Sequence, residues 1–337
     1  MASRFNNNNN NDEQNSGGDD NSIEIDGADI QIPKKPALPL YKLFNYARVH
    51  KPYTYKHLLF ALWLPVGVGL WPIRVFLTIL TYLLLLLVPK SLSFLLKHVL
   101  LVLMGFRIKY NGLENLPRVG DPKSGRVIVI NHMSDFDPYP VMTIIPYFHT
   151  LVAAHISKVP IVGKLYKKMD TIFVDPANKE KARTDVLDGL NKTKMPLLIY
   201  PEGGLTNGSK GIMMFNKFVF GLGHGIIPVA MRMNNPWPVN TDYLGSSWMK
   251  NFAFWFLVPF HRFELTFLSH MFIAQNETDA EFAKRVQTRI ANHLQIEATD
   301  YSYSQKKELA KDLSSGKFVP PIDDIETQVS NHSERSD

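Results

Sequence analysis

Residues 127–138 read VIVINHMSDFDP, a short run of apolar residues that leads directly into a histidine and two aspartates. Four consecutive β-branched residues are typical of a strand that is buried on both faces of a sheet. Three similar runs follow in the chain, namely Thr171–Val174, Leu197–Tyr200 and Ile226–Ala230. Helical patterns lie between them, near Ile161–Met169 and Asn178–Asn191. This alternation predicts an α/β fold in which a mostly parallel sheet is flanked by helices.

The loop after the first predicted strand is a candidate active site, because α/β proteins usually build their sites where parallel strands end. If the loop folds back, the carboxylate of Asp137 can hold one imidazole nitrogen of His132. The other nitrogen can then act as a general base for a hydroxyl. Pro138 supports a helix start with Asp137 as its N-cap residue. Asp135 is a competing partner for the imidazole, and a histidine at a strand end can also be purely structural.

A second cluster follows the third predicted strand, where residues 200–210 read YPEGGLTNGSK. Glycines let backbone N–H groups approach a ligand and Lys210 adds positive charge, so this is a candidate phosphate-binding loop. Its spacing differs from that of a Walker A loop, and an ordinary glycine-rich turn has the same composition. The histidines of the chain show no metal-binding spacing, so we expect no metal site.

A long apolar segment precedes the α/β region. Residues 58–88 contain one charged side chain, Arg74, in 31 positions. A straight membrane span needs about 20 residues, so this segment is too long for one span and too short for two. Two apolar arms joined by Pro72-Ile73-Arg74 favour a membrane-embedded helical hairpin that enters one leaflet and returns to its own side. A tilted, kinked transmembrane helix and a buried soluble helix remain as alternatives.

The remaining segments differ in composition. Residues 1–32 are rich in Asn and Asp, and residues 319–337 are acidic, so we expect both tails to be disordered. Residues 33–57 combine basic and aromatic side chains without an acidic one, which predicts a juxtamembrane segment facing anionic lipid. Residues 89–106 predict an interfacial helix. The α/β domain is assigned to residues 107–270 and a set of C-terminal helices to residues 271–318.

Charge and composition narrow the classes of function. The chain carries a net charge of +6, and its two acidic ends leave residues 31–318 with +16, which favours anionic partners such as a phospholipid surface or a phosphorylated substrate. The absence of cysteine excludes disulfides, thiolate metal sites and a cysteine nucleophile. No apolar stretch follows the first methionine, so we expect no secretory signal. We also expect no nucleic-acid partner, because the apolar segment follows the basic residues directly.

Four ordered blocks resemble those of the glycerolipid acyltransferase superfamily, the 1-acylglycerol-3-phosphate acyltransferases. They are Asn131-His132 with Asp137, Ile172-Phe173-Val174, Pro201-Glu202-Gly203-Gly204 and Ile226–Ala230. The resemblance covers roughly residues 107–270. The chain also resembles a narrower group, the ancient ubiquitous protein family of the endoplasmic reticulum and lipid droplets. This second resemblance rests on the apolar segment, residues 202–208, residues 248–260 and the helix at residues 281–287.

This resemblance implies roles for individual residues. His132 would be the general base, Asp137 its orienting partner, and acyl-CoA the donor as co-substrate, with no other cofactor. The glycerol phosphate of the acceptor would be contacted by Glu202, Gly203 and Gly204. The chain departs from the superfamily at two positions. Gly204 stands where threonine is more usual, and the second block ends in Val174-Asp175-Pro176 instead of a phosphate-binding arginine, for which the candidate substitutes are Lys168, Lys179 and Lys181.

Two functions remain open at this stage. The first is an acyl-CoA-dependent acyltransferase that acts on a lysophospholipid or glycerol phosphate, on the cytosolic side of the endoplasmic reticulum membrane and on lipid droplets. The second is a non-catalytic lipid-surface adaptor in lipid-droplet or reticulum protein-quality functions. The expected partners are membrane lipid and the droplet surface. Ubiquitin-machinery partners are not expected, because the family's C-terminal modules have no counterpart after residue 318.

Overall fold

The structure is a computed structural model that describes residues 38–118, 124–160, 162–175 and 177–321. Its α-helices are α1 Tyr55–Leu87, α2 Lys90–Leu103, α3 Pro138–Val141, α4 Val162–Lys168, α5 Lys179–Lys192, α6 Trp248–Leu257, α7 Asp279–Leu294 and α8 Tyr303–Ser314. Its strands are β1 Phe106–Asn111, β2 Val127–Ile130, β3 His149–Ala153, β4 Ile172–Val174, β5 Leu197–Ile199, β6 Gly211–Ile212, β7 Ile226–Met233, β8 His261–Phe267 and β9 Glu297–Ala298. The predictions for residues 1–32 and for most of residues 319–337 fall outside the described residues.

The strands form a large sheet in the order β1-β8-β7-β2-β5-β3-β4, with β6 and β9 as a separate pair. Within the described residues, neighbouring strands of the large sheet run parallel except β7 and β8, which are antiparallel. The prediction of a mostly parallel sheet is therefore confirmed. β2 lies at the centre between β5 and β7, so the loop that follows it emerges in the middle of one sheet edge.

Helices cover both faces of the sheet because successive side chains of a strand point in opposite directions. On one face, Ile128 and Ile130 of β2 pack in a core with Leu100 of α2 and with Trp255 and Phe256 of α6. On the other face, the core is formed by β2, β5, α5 and α7 through Val127, Val129, Leu197, Val186, Leu190, Phe282, Val286 and Ile290. The α/β sandwich thus has buried apolar layers on both sides of β2.

The apolar segment forms one continuous helix rather than two arms. α1 runs for 33 residues through Pro65 and Pro72, so the predicted turn at Pro72-Ile73-Arg74 is wrong. The chain reverses instead at residues 88–89. Arg74 in the middle of α1 then contacts Leu103 at the far end of α2, which makes the two helices antiparallel. A helical hairpin exists, but α1 and α2 form it.

The contacts of Arg74 explain why the chain does not turn there. Its guanidinium donates from Nε to Leu103 O (2.9 Å) and from Nη1 to Phe256 O (2.6 Å) and Val258 O (2.8 Å). These carbonyls belong to the ends of α2 and α6, where helix carbonyls lack partners and a cation is stabilised. Trp71 adds a hydrogen bond from Nε1 to Ala253 O (2.9 Å). Tertiary contacts on both sides of Pro72 therefore hold α1 together, although proline removes one of its hydrogen bonds.

Much of α1 remains uncovered. The helix is long and apolar enough to cross a membrane. In its most apolar stretch of 18 residues, only 17% of the residues are buried. Its exposed side chains include Leu58, Leu62, Val66, Val68, Ile73, Phe76, Ile79, Leu83 and Leu87. α2 adds exposed Leu92, Phe94, Leu95 and Val102 to the same part of the molecule, while its Leu100 is buried. The predicted interfacial helix at residues 89–106 therefore corresponds to α2, which ends at Leu103, before β1 begins.

The segment before α1 only partly matches the juxtamembrane prediction. Leu43 and Phe44 are buried in a small core with Met213 and Leu244. Arg48 donates to Asn240 O, Thr241 O and Asn251 Oδ1, so it binds the domain instead of lipid. The exposed basic and aromatic side chains lie in the last part of the segment, at Lys51, Tyr53 and Tyr55. The sequence pattern missed this because buried and exposed aromatic residues look alike in composition.

Candidate active site

The backbone at the end of β2 is held in place by two side chains. Buried Asn131 donates from Nδ2 to Met231 O (3.0 Å) and accepts from Met231 N at Oδ1 (2.8 Å), which ties it to β7. The N–H of His132 donates to Glu202 Oε1 at 2.7 Å. The position of His132 is therefore set by its neighbours in the sheet before its imidazole makes any contact.

The imidazole of His132 contacts Asp137, as the sequence predicts. His132 Nδ1 lies 2.9 Å from Asp137 Oδ2, and the aspartate is fully buried. Oδ2 also accepts the N–H groups of Met133 (2.6 Å) and Ser134 (3.0 Å), and Oδ1 accepts the Ser134 hydroxyl (2.7 Å). These bonds fold the loop back so that the carboxylate reaches the ring. Because an ionised carboxylate only accepts hydrogen bonds, Nδ1 carries the proton and Nε2 the lone pair.

The free side of His132 faces a cavity of about 400 Å³, which the residue helps to line. The imidazole stacks on the ring of Tyr200 with centroids 4.4 Å apart, and its side chain is 20% exposed. Within the described residues, Nε2 has no hydrogen-bond partner. Asp135, the competing partner, instead accepts from Asn251 Nδ2 at 3.4 Å. The pair of His132 and Asp137 therefore presents one unprotonated nitrogen to the cavity.

Glu202 fixes the backbone that carries His132. Its Oε1 accepts the His132 N–H and its Oε2 accepts the Met213 N–H at 2.8 Å, so both oxygens are engaged by backbone groups. Glu202 is buried and is not among the residues that line the cavity. Burial raises the pKa of Glu202 to about 8, although the two N–H donors favour the charged form. Glu202 thus holds the backbone of His132 in place, and its implied contact with the acceptor stays a prediction.

The two glycines after Glu202 do line the cavity. Gly203 has a φ of +70°, a left-handed conformation that favours glycine. Gly204 lies under Tyr303 of α8, and a Cβ at this position would come within 2.8 Å of the tyrosine ring. The packing of α8 therefore gives a physical reason for glycine where the superfamily more often has threonine.

Lys210 does not reach this cavity, contrary to the prediction. It precedes β6, its carbonyl accepts the Glu297 N–H at 2.9 Å, and it is absent from the cavity lining. Lys306 and Lys307 of α8 line the cavity instead. Lys306 Nζ donates to Leu205 O at 2.6 Å, and burial lowers its pKa against the opposing effects of nearby carboxylates. No motif marks these lysines, because α8 follows the glycine-rich loop by about a hundred residues and is brought to it only by folding.

The candidate substitutes for the superfamily's arginine are also located elsewhere. Lys168 Nζ donates to Leu86 O (2.7 Å) and Val88 O (2.6 Å), where it caps the end of α1. Lys179 and Lys181 lie exposed at the start of α5 and do not line the cavity. No sequence motif marks one wall of the cavity as part of a site. This wall is formed by Asp242, Tyr243, Leu244, Gly245, Ser246, Trp248 and Asn251.

Comparison with known proteins shows what this part of the chain resembles. Residues 107–232 match the family model described as Acyltransferase. The matched residues include His132, Asp137 and the glycine-rich loop and end within β7, so the three helices α6, α7 and α8 follow the matched region.

Three curated relatives match more of the chain than this region. The chain is 29% identical over 255 residues to the Caenorhabditis elegans protein named "Lipid droplet-regulating VLDL assembly factor AUP1 homolog", a match covering 74% of this chain and 62% of that protein. It is 24% identical over 231 residues to rat "Lysophosphatidylcholine acyltransferase 2", covering 65% of this chain and 40% of the relative. The match to the zebrafish protein named "Lipid droplet-regulating VLDL assembly factor AUP1" spans 58% of that relative. The predicted resemblance to acyltransferases and to lipid-droplet proteins is confirmed.

A solved structure also aligns with this chain. It is the 1-acyl-sn-glycerophosphate acyltransferase PlsC from Thermotoga maritima, with a TM-score of 0.45 and 14% sequence identity. The alignment covers 72% of this chain and 97% of PlsC.

Proposed function

We propose that this protein transfers an acyl group from acyl-CoA to a hydroxyl of a lysophospholipid or glycerol phosphate. The observation that carries the proposal is the contact between His132 and buried Asp137, which leaves Nε2 at a cavity. Both residues lie in the region that matches the acyltransferase family model. Nε2 would take the proton of the acceptor hydroxyl while the hydroxyl oxygen attacks the thioester carbonyl of acyl-CoA. The CoA thiolate then leaves and recovers the proton from the imidazolium, which Asp137 stabilises.

A transfer assay on the full chain in lipid nanodiscs tests this proposal, with acyl-CoA and a panel of lysophospholipids and glycerol 3-phosphate. His132→Ala removes the general base and should lower the rate by roughly 10²–10⁴-fold. His155→Ala is the matched control, since His155 is exposed and lies outside the cavity lining. Wild-type turnover in the His132→Ala protein would exclude His132 as the base.

A non-catalytic lipid-surface adaptor is the second candidate function. It is favoured by Asp175, which follows β4 where the superfamily usually carries a phosphate-binding arginine. The names of the lipid-droplet relatives refer to regulation rather than to a reaction. If the wild-type protein transfers no acyl group to any acceptor of the panel, yet still binds lipid surfaces, the adaptor function is the correct one.

We also propose that α1 and α2 lie in the plane of one leaflet, in the endoplasmic reticulum membrane and on lipid droplets, with the domain in the cytosol. α1 contacts the domain or α2 from Trp63, which donates to Leu257 O, to Leu86, which accepts from Lys168. This stretch covers about 35 Å of helix, more than the roughly 30 Å hydrocarbon core. A perpendicular span would therefore pull the packed domain into the membrane, whereas an in-plane helix exposes only its apolar face.

Charge substitutions on the exposed face of α1 test this orientation. Leu62→Asp and Val66→Asp replace exposed side chains and should reduce co-flotation with phospholipid vesicles and artificial droplets while the fold is retained. Leu113→Asp is the matched control at an exposed leucine outside α1 and α2. Unchanged flotation of the α1 variants would contradict the in-plane arrangement.

A further inference from the structure

The cavity next to His132 is lined by side chains of both charges. One part of the lining carries Asp135 and Asp242, and α8 contributes Lys306 and Lys307. Among the described residues, no ion pair or hydrogen bond joins either lysine to either aspartate. Opposite charges thus share one cavity without neutralising each other in direct contact.

The acidic part of the lining is organised by Asn251. Its Nδ2 donates to Asp242 Oδ1 at 2.8 Å and to Asp135 Oδ2 at 3.4 Å, which holds both carboxylates around one amide. Arg48 donates to Asn251 Oδ1 at 2.7 Å and so fixes the direction of that amide. Ser246 adds a second donor to Asp242 Oδ1 at 2.9 Å.

Each of these two aspartates offers one carboxylate oxygen to a ligand. In the described chain, Asp135 Oδ1 and Asp242 Oδ2 have no hydrogen-bond partner. Burial raises the pKa of Asp135, and the charge of Asp242 adds to this effect. A positively charged ligand group placed between the two carboxylates would relieve both the desolvation and the repulsion.

Aromatic side chains accompany the carboxylates. Tyr243 and Trp248 line the same part of the cavity, and Phe252 stacks on Trp248 with centroids 5.2 Å apart. Aromatic rings attract ammonium groups, including quaternary ones that cannot donate hydrogen bonds. This part of the lining therefore suits the amine of a choline or ethanolamine group.

The basic part of the lining suits a phosphate. Lys306 uses one ammonium donor on Leu205 O, which leaves donors of the same group for a ligand. Lys307 lies 4.9 Å from the Tyr303 ring centroid and also lines the cavity. Gly203 and Gly204 line the cavity beside these lysines.

We propose that this cavity binds the zwitterionic headgroup of a lysophospholipid, with the phosphodiester at Lys306 and Lys307 and the amine at Asp135 and Asp242. The purely anionic acceptors, glycerol 3-phosphate and lysophosphatidic acid, would bring a phosphate monoester to the cavity without an amine of their own to place between the two carboxylates. The inference names the acceptor class of the proposed acyltransferase and rests on that function for the reaction, though not for binding.

Calorimetric titration of the full chain in nanodiscs tests the inference with three soluble probes: glycerophosphocholine, glycerophosphoethanolamine and glycerol 3-phosphate. The two zwitterionic probes should bind at least about tenfold more tightly than glycerol 3-phosphate, since each gains a charge-assisted contact. Asp242→Asn keeps the acceptor for Asn251 and Ser246 but removes the charge. It should weaken both zwitterionic probes about tenfold and leave glycerol 3-phosphate unweakened. Asp188→Asn, at an exposed aspartate of α5, is the matched control.

The basic part of the lining has its own variant and control. Lys307→Gln should weaken all three probes, while Lys311→Gln, one turn further along α8 and outside the cavity lining, should weaken none. Equal binding of the three probes to wild type, an equal effect of Asp242→Asn on all of them, or no binding of any probe overturns the inference.

The transfer assay separates this inference from the proposed function. Selective binding of the zwitterionic probes without acyl transfer refutes the acyltransferase function and leaves the headgroup assignment intact. Transfer to lysophosphatidic acid in preference to lysophosphatidylcholine and lysophosphatidylethanolamine supports the acyltransferase function and refutes the headgroup assignment.

Discussion

Glu202→Gln is the substitution that best tests how the site is held together. Glu202 accepts the N–H groups of His132 and Met213, one on each carboxylate oxygen. Glutamine offers one accepting oxygen and one donating amide, so in either orientation one buried N–H faces another donor. Leaving a buried donor unsatisfied costs about 1–3 kcal/mol, and this should appear as a loss of stability at acidic pH.

The pH dependence of this loss follows from the pKa of Glu202, which burial raises from 4.5 to about 8. Between these values the folded protein keeps the carboxyl proton while the unfolded chain releases it. Stability therefore falls as pH rises through this window and levels off above the folded pKa. Each pH unit inside the window is worth about 1.4 kcal/mol, so the wild type should lose about 4 kcal/mol between pH 5 and pH 8.5 through this group.

The measurement is the difference in unfolding free energy between the wild type and Glu202→Gln, taken from pH 5 to pH 8.5. Other titrating groups are common to both proteins, so the difference isolates Glu202. We expect the wild type to be more stable at pH 5 and to lose that advantage by pH 8.5. A difference that stays constant with pH would refute the raised pKa. A change confined to the KM for the acceptor, without a change in kcat, would refute the positioning role.

Three further predictions concern α1, α8 and the side of the membrane on which the domain lies. Arg74→Met leaves the carbonyls at the ends of α2 and α6 without their cation and should lower the free energy of unfolding, measured by chemical denaturation, by about 2–4 kcal/mol. A loss below about 0.5 kcal/mol would contradict the capping role. Gly204→Thr should displace α8 through its clash with Tyr303, detected as faster proteolysis after residue 300, and unchanged proteolysis would argue against the packing. Asn191 and Asn276 lie in exposed N-glycosylation sequons, so endoglycosidase should not shift the mobility of cell-expressed protein if the domain is cytosolic.

The parts of the fold that the sequence predicts are those with local signals. β2, β4, β5 and β7 appear as short apolar β-branched runs, and the loop at residues 131–138 follows from the strand end and from Pro138. The capping box of α7 is visible as Thr278 and Glu281, and in the structure their side chains and backbone exchange hydrogen bonds. In each case a short stretch of chain contains all the residues that decide the local structure.

The parts that the sequence does not predict depend on partners distant in the chain. Arg74 looks like a turn residue until the carbonyls of α2 and α6 are placed beside it. Lys210 looks like the cation of the glycine-rich loop, but Lys306 and Lys307 are the lysines that line the cavity, because α8 packs on Gly204. Spacing alone cannot assign such residues, since the deciding contacts join segments that lie from 29 to 182 residues apart in the chain.

The helix α6 links the proposed membrane layer to the candidate active site. Its buried face places Trp255 against Phe136 of the His132 loop, with ring centroids 4.2 Å apart. Its C-terminal end provides carbonyls to Arg74 and Trp63 of α1, and its first turns bring Trp248 to the cavity. One rigid helix therefore contacts α1, the loop and the cavity at once. A lipid acceptor held at the plane of α1 would accordingly lie at a fixed distance from His132, without a mobile linker between anchor and site.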